Sequence, residues 1–126
     1  MSKAILYDFL TAEASIYPAS HGAAKEGDAI IDMQGYERAL IICYSGAVTT
    51  DTVFELKHGD ASNLSDAAAV SASDILGSEP TLAAATDNEC EQFEYIGTKR
   101  YLRVDTTAGA GIAGAIIVKG NPRHET

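Results

Sequence analysis

The residues that could do chemistry in this chain are a glycine-rich stretch, a loop of oxygen-bearing side chains, three histidines and two cysteines. Gly109-Ala-Gly-Ile-Ala-Gly114 spells the dinucleotide fingerprint G-x-G-x-x-G. That chemistry needs the glycines to open a helix whose N-terminus meets a pyrophosphate, inside a unit of about thirty residues. Here 12 residues follow Gly114, they have strand-like composition, and no acid follows at the spacing that reads the ribose. A glycine-rich hairpin turn accounts for the spelling, and nucleotide binding is not expected. The loop Asp60-Ala-Ser-Asn-Leu-Ser-Asp66 offers oxygen ligands, but an EF-hand starting at Asp60 would need glycine and glutamate where Ser65 and Ser71 stand. A solvated turn is the expectation. Asn63-Leu-Ser65 is a glycosylation sequon by spelling, with meaning only in a secreted chain.

His21, His58 and His124 have no Cys, His or carboxylate at zinc-ligand spacing, and two cysteines cannot build a thiolate site. Cys43 lies in an apolar run, where a thiol behaves as a small hydrophobe. Cys90 sits in Asp87-Asn-Glu-Cys-Glu91, the wrong charge to activate a thiol. No disulfide is expected. No G-x-S-x-G nucleophile elbow occurs, and the chain reads as a non-enzyme with no cofactor and no metal. The densest basic cluster is Lys99-Arg100 with Arg103. It reads either as a solvated face paired with acids such as Glu94 and Asp105, or as a docking patch in which Arg100 and Arg103 are the candidates.

The elements that must position these residues read as β throughout. The chain has 126 residues, enough for one domain with a core of its own. Apolar residues make up 46%, mean hydropathy is −0.02, and the longest apolar run, Ala39–Tyr44, is far short of a membrane span. A net charge of −9 argues against direct nucleic-acid binding and for solubility, or for a basic partner surface. Met1-Ser-Lys-Ala-Ile-Leu-Tyr-Asp8 places an acid inside what a signal peptide would need as its apolar stretch, so synthesis and retention in a cytoplasm are expected.

Residues 1–28 read as an N-terminal arm, extended or, from the spacing of Ile5, Phe9, Ala12 and Ile16, a short helix. Residues 29–126 read as the β domain. Strands are predicted at 29–33, 38–45, 50–58, 67–76 (weak, or a strand plus a helical turn), 92–96, 98–105 and 112–118, with 81–88 and 106–111 as loops. In 50–58, Thr52, Phe54, Leu56 and His58 share one side. Glu94–Asp105 reads as a hairpin about a Gly-Thr-Lys turn, with Leu102 and Val104 on the core face and Tyr101, Arg103 and Asp105 on the other. The fold class is all-β: an antiparallel β-sandwich or barrel of seven to eight short strands.

The order of motifs from about residue 30 to 124 resembles the phage head decoration, or capsid cement, proteins. The residues that carry this are Gly35-Tyr-Glu-Arg-Ala-Leu-Ile-Ile42, Phe54-Glu-Leu-Lys-His-Gly-Asp60, Ala72-Ser-Asp-Ile-Leu-Gly77, Tyr95-Ile-Gly-Thr-Lys-Arg-Tyr-Leu-Arg103 and Gly120-Asn-Pro-Arg-His124. Cys43 and Cys90 are not features of that pattern, and the first 28 residues lie outside it. The resemblance implies a virion protein at the capsid surface, partnered by the major capsid protein and forming a homo-oligomer, with a trimer favoured, and no catalytic residues. The interface residues expected are Ile5, Tyr7, Phe9 and Tyr17 from the arm, Arg100 and Arg103 from the basic cluster, and Arg123 and His124 from the tail. Other readings are head–tail joining, tail assembly, or a host-surface or carbohydrate-binding β-sandwich. Scattered tyrosines and the absence of tryptophan disfavour the last.

Overall fold

Alternation of apolar and polar residues drives the architecture, and two breaks in its phase give it shape. The computed structural model describes residues 9–122, with Asn121 and Pro122 described by backbone alone. The strands are β1 (Thr11–His21), β2 (Ile31–Asp32), β3 (Tyr36–Gly59), β4 (Ala68–Ala69), β5 (Ile75–Leu76), β6 (Thr81–Leu82), β7 (Cys90–Tyr95) and β8 (Tyr101–Pro122). A 3-10 turn, Ala72–Asp74, capped by the Ser71 side chain, precedes β5. The main sheet path runs β1-β8-β3-β7-β5, with β2 on β8 and with β4 and β6 on β3, all antiparallel. The fold is all-β, and its sheet does not close into a barrel.

Two strands dominate. β3 and β8 pair from Tyr36↔Pro122 to Gly59↔Tyr101. In the first half of β3 the buried residues are odd-numbered (Ala39, Ile41, Cys43, Ser45), and in the second half they are even (Thr52, Phe54, Leu56). β8 switches in the opposite sense, from Leu102, Val104 and Thr106 to Ala113, Ala115 and Ile117. Extra residues between Ser45 and Phe54 shift the register, and each such bulge swaps the side-chain parity and bends the strand. The ribbon thereby folds over, and side chains from both halves meet in one core that includes Ile16, Ile41, Phe54, Leu56, Phe93, Tyr95, Leu102, Val104 and Ile117.

The breaks in alternation at 46–49 and 106–111, expected to be turns between short strands, are therefore bulged stretches of continuous strand. The hairpin expected at Gly97-Thr-Lys99 is also absent: β7 pairs with β3 and β5, while β8 pairs with β3 on its own account. Tyr95 and Tyr101 bound a connection between strands that are not neighbours. The face assignment within 101–105 does hold, with Leu102 and Val104 fully buried.

Of the first 28 residues, Thr11–His21 is extended chain built into the sheet as β1 along β8, not a helix. An irregularity between Ala14 and Ile16 turns both Ser15 and Ile16 inward. The Ser15 hydroxyl donates to the Ala29 carbonyl at 3.0 Å and accepts from Val104 N–H at 2.9 Å, and the Ser15 carbonyl takes the N–H groups of Asp28 and Ala29. One small side chain thus ties three segments together without leaving a buried polar group unpaired.

Candidate interaction surface

The sequence-predicted interface residues do not converge on one patch. Ile5, Tyr7, Arg123 and His124 lie outside the described residues. Phe9 and Tyr17 are exposed, Tyr17 at 52%. The backbone N–H of Tyr17 donates to Asp28, whose carboxyl is held below its ordinary range mainly by the hydrogen bond from Lys25.

The basic cluster is matched residue by residue with acids. Arg100 donates from Nε and Nη2 to the two oxygens of Asp32, each at 2.9 Å, reaches Gln34 at 2.6 Å and stacks its guanidinium 5.0 Å from the Tyr101 ring centre. This pair depresses the Asp32 carboxyl below the usual carboxylate range. Arg103 is nearly buried and holds Asp105 in a two-point pair at 2.7 and 3.0 Å, while Asp105 also accepts from Gly27 N–H. Lys99 meets Asp60 at 3.0 Å. The bidentate geometry fixes these guanidinium planes. Glu94, expected to serve this cluster, pairs instead with Arg38.

The oxygen-rich loop is closed by its own last residue: Asp66 accepts from Asp60 N–H and Ala61 N–H, and these bonds lower its pKa. Among the described residues, no three of His, Cys, Asp and Glu are placed to share a metal ion. Gly109 and Gly111 take φ of +145° and +128° within β8, where the ribbon bends. A Cβ at Gly111 would come 2.5 Å from Val48 Cα. The glycine spacing serves close strand crossing at the bend.

A surface that the sequence reading did not single out lies on the outer face of the half-sheet β1-β8-β3-β7-β5. In register, Ala12, Val118, Leu40, Glu94 and Leu76 form one row. Ala14, Ile116, Ile42 and Gln92 form the next, and Gly114, Tyr44 and Cys90 a third. Leu40, Ile42, Tyr44, Ile116 and Val118 are only half-buried there, and Leu76 is exposed. At one end a groove of about 550 Å³ is lined by Leu10, Arg38, Leu40, Glu94, Val118 and Gly120. The sequence signal for this face was present: 39–44 and 115–118 are apolar at both parities, whereas a sheet with one solvated face alternates.

No protein-family model matches the chain, and no curated protein matches it. Among solved structures, the crystal structure of SPBc2 prophage-derived protein YomS has a similar fold, with a TM-score of 0.60 at 11% identity over 89% of this chain and 93% of that one. At that identity the likeness is one of architecture, and it spans nearly the whole of both chains.

Proposed function

We propose that this protein is a phage structural protein that binds the outer surface of an assembled capsid and stabilises it. The observation that carries the reading is the fold held in common, almost end to end, with a prophage-derived protein. The ordered sequence resemblance to capsid cement proteins points from a phage role to this particular one. The physical character of the molecule supports it. A bent two-strand ribbon around one core resists local opening, and a net charge of −9 keeps free copies apart in solution. Many copies on one shell multiply weak contacts into a large collective effect.

In this reading the major capsid protein is the partner, the working form is a homo-oligomer, and the protein resides on the virion surface. Contacts come from Ile5, Tyr7, Phe9 and Tyr17 at the N-terminal side, from Arg100 and Arg103, and from Arg123 and His124 in the tail. Phe9 and Tyr17 are accessible for this, and Arg100 keeps about half of its side chain exposed while paired. The role requires neither a catalytic group nor a cofactor.

The test is binding of purified protein to expanded capsids that lack it, followed by thermal challenge. Saturable binding and a higher capsid melting temperature are expected. Capsids that neither bind the protein nor gain heat resistance overturn the reading, and labelling confined to the neck or tail of virions would assign it to head–tail joining or tail assembly. A truncation for this purpose should remove residues 2–8. Removing residues 1–20 would strip β1 and expose the core around Ile16.

A further inference from the structure

The outer face described above continues past its three rows. Ser20 pairs with Ile112, and a Cβ at Gly46 would meet the Ile112 Cβ at 3.2 Å, so these three form a fourth row on the same side. Ile112 is 46% exposed at that end and Leu76 is 47% exposed at the other. Ile42 and Ile116 lie opposite each other near the middle, half-buried. Among the described residues of these rows the one charged side chain is Glu94, and it is paired with Arg38. The face is therefore apolar at its centre and without net charge, on a molecule whose formal charge is −9.

We infer that this face is where two copies of the chain meet, sheet against sheet, in a reversible dimer. Two observations select a second copy as the occupant. The first is charge. An acidic molecule repels its own copies over most of its surface, so close approach is left to a face on which charge cancels. A basic partner would be drawn to the acids elsewhere on the molecule and would gain nothing in charge from this face.

The second is area. Four rows ~6.8 Å apart on four strands ~4.8 Å apart cover roughly 500 Å². Two copies then remove ~1,000 Å² from water, the least at which a specific interface forms. An open apolar patch of that size on a single chain marks a contact surface. Sheets stack face to face ~10 Å apart with their strands nearly aligned. The same patch used on both copies closes the pair about a two-fold axis, which gives a dimer and not a fibre. So small an interface makes the pairing weak, with a dissociation constant of roughly tens of micromolar. The inference gives the homo-oligomer proposed above a contact surface without resting on capsid binding, and its test contains no capsid.

The experiment is sedimentation velocity on the full chain across the micromolar range. The mass should rise from 13.2 kDa toward twice that value with concentration. Added salt should strengthen the association, because it screens repulsion between acidic copies. Ile42→Glu places a charge at the centre of the face and should weaken pairing by ~10-fold or more. A chain that stays monomeric throughout overturns the proposal, and so does association that salt weakens. An Ile42→Glu protein that pairs as well as the original overturns it too. If that variant fails to fold, methyl NMR on the unaltered chain decides. The resonances of Leu40, Ile42, Ile116 and Val118 should move with concentration while those of Ile31 and Leu56 in the core stay in place. Outer-face methyls indifferent to concentration refute the dimer. In a sample mixing isotope-labelled and unlabelled protein, contacts to Ile42 and Ile116 that arise only within one molecule refute it as well.

Discussion

At the scale of single residues, His58 and the basic cluster, which looked open to chemistry, are bonded into the fold. His58 is the clearest case. Its ring meets Tyr95 edge-on at 5.7 Å, with Nδ1 2.9 Å from the Tyr95 hydroxyl, which also accepts from Lys99 N–H at 3.0 Å. Burial holds the imidazole below its ordinary pKa; nearby Asp74, Asp60 and Asp66 oppose the shift and Lys99 adds to it. Because the unfolded chain then takes up the proton first, stability should fall as pH drops through about 6.5 toward the folded value. His58→Gln should flatten that part of the curve when urea midpoints are measured between about pH 7.5 and 5.5. An unchanged slope would remove His58 from the account.

The Arg103–Asp105 pair makes a second residue-level prediction. With side-chain exposures of 12% and 9%, breaking it leaves a charge stranded near the core. Asp105→Asn should cost about 3 kcal/mol in chemical denaturation. The corresponding change at the exposed Lys99–Asp60 pair should leave the denaturation midpoint nearly unmoved, because solvent screens that pair. That Arg103 and Asp105 share a face was legible from their spacing. Their joint burial was not, because it depends on Gly27, whose N–H bonds Asp105, being brought alongside from 78 residues away in the chain.

At the scale of elements, the sequence reading located strand material well and strand identity poorly. The segments 38–45, 50–58 and 112–118 are all strand, and Phe54 and Leu56 point inward as the alternation required. What misled was the loss of phase at Gly46–Thr49 and at Thr106–Gly111. A turn and a bulge both break period two, and a single sequence does not distinguish a chain that reverses from one that bends and continues. The glycines carry the difference. Gly111→Ala places a side chain in a left-handed backbone conformation and against Val48, so it should cost well over 1 kcal/mol in equilibrium unfolding. Gly22→Ala, where nothing lies within 4 Å, should stay within about 0.5 kcal/mol. Equal effects at the two sites would contradict the bend.

At the scale of the whole molecule, the governing fact is that β3 and β8 are paired along their full length although the partners Tyr36 and Pro122 are 86 residues apart in the chain. Little of the sheet is closed by local hairpins, so ordering entropy precedes most of the stabilising contacts. Folding should occur in milliseconds to seconds by stopped-flow, at the slow end for this size. A sub-millisecond relaxation would contradict the topology.

The sequence by itself determined the all-β class, the shared face of Phe54 and Leu56 and the core face of Leu102 and Val104, the acidity and the absence of nucleotide-loop context around Gly109–Gly114. Those depend on side-chain period and composition, which are local. Only the tertiary structure decided that two long strands replace several short ones, that the basic cluster is matched with Asp32, Asp60 and Asp105, and that one sheet face stays apolar and partly open. Each of these depends on which distant segment lies alongside, and a bulge of one residue is enough to change that without altering the local pattern on either side.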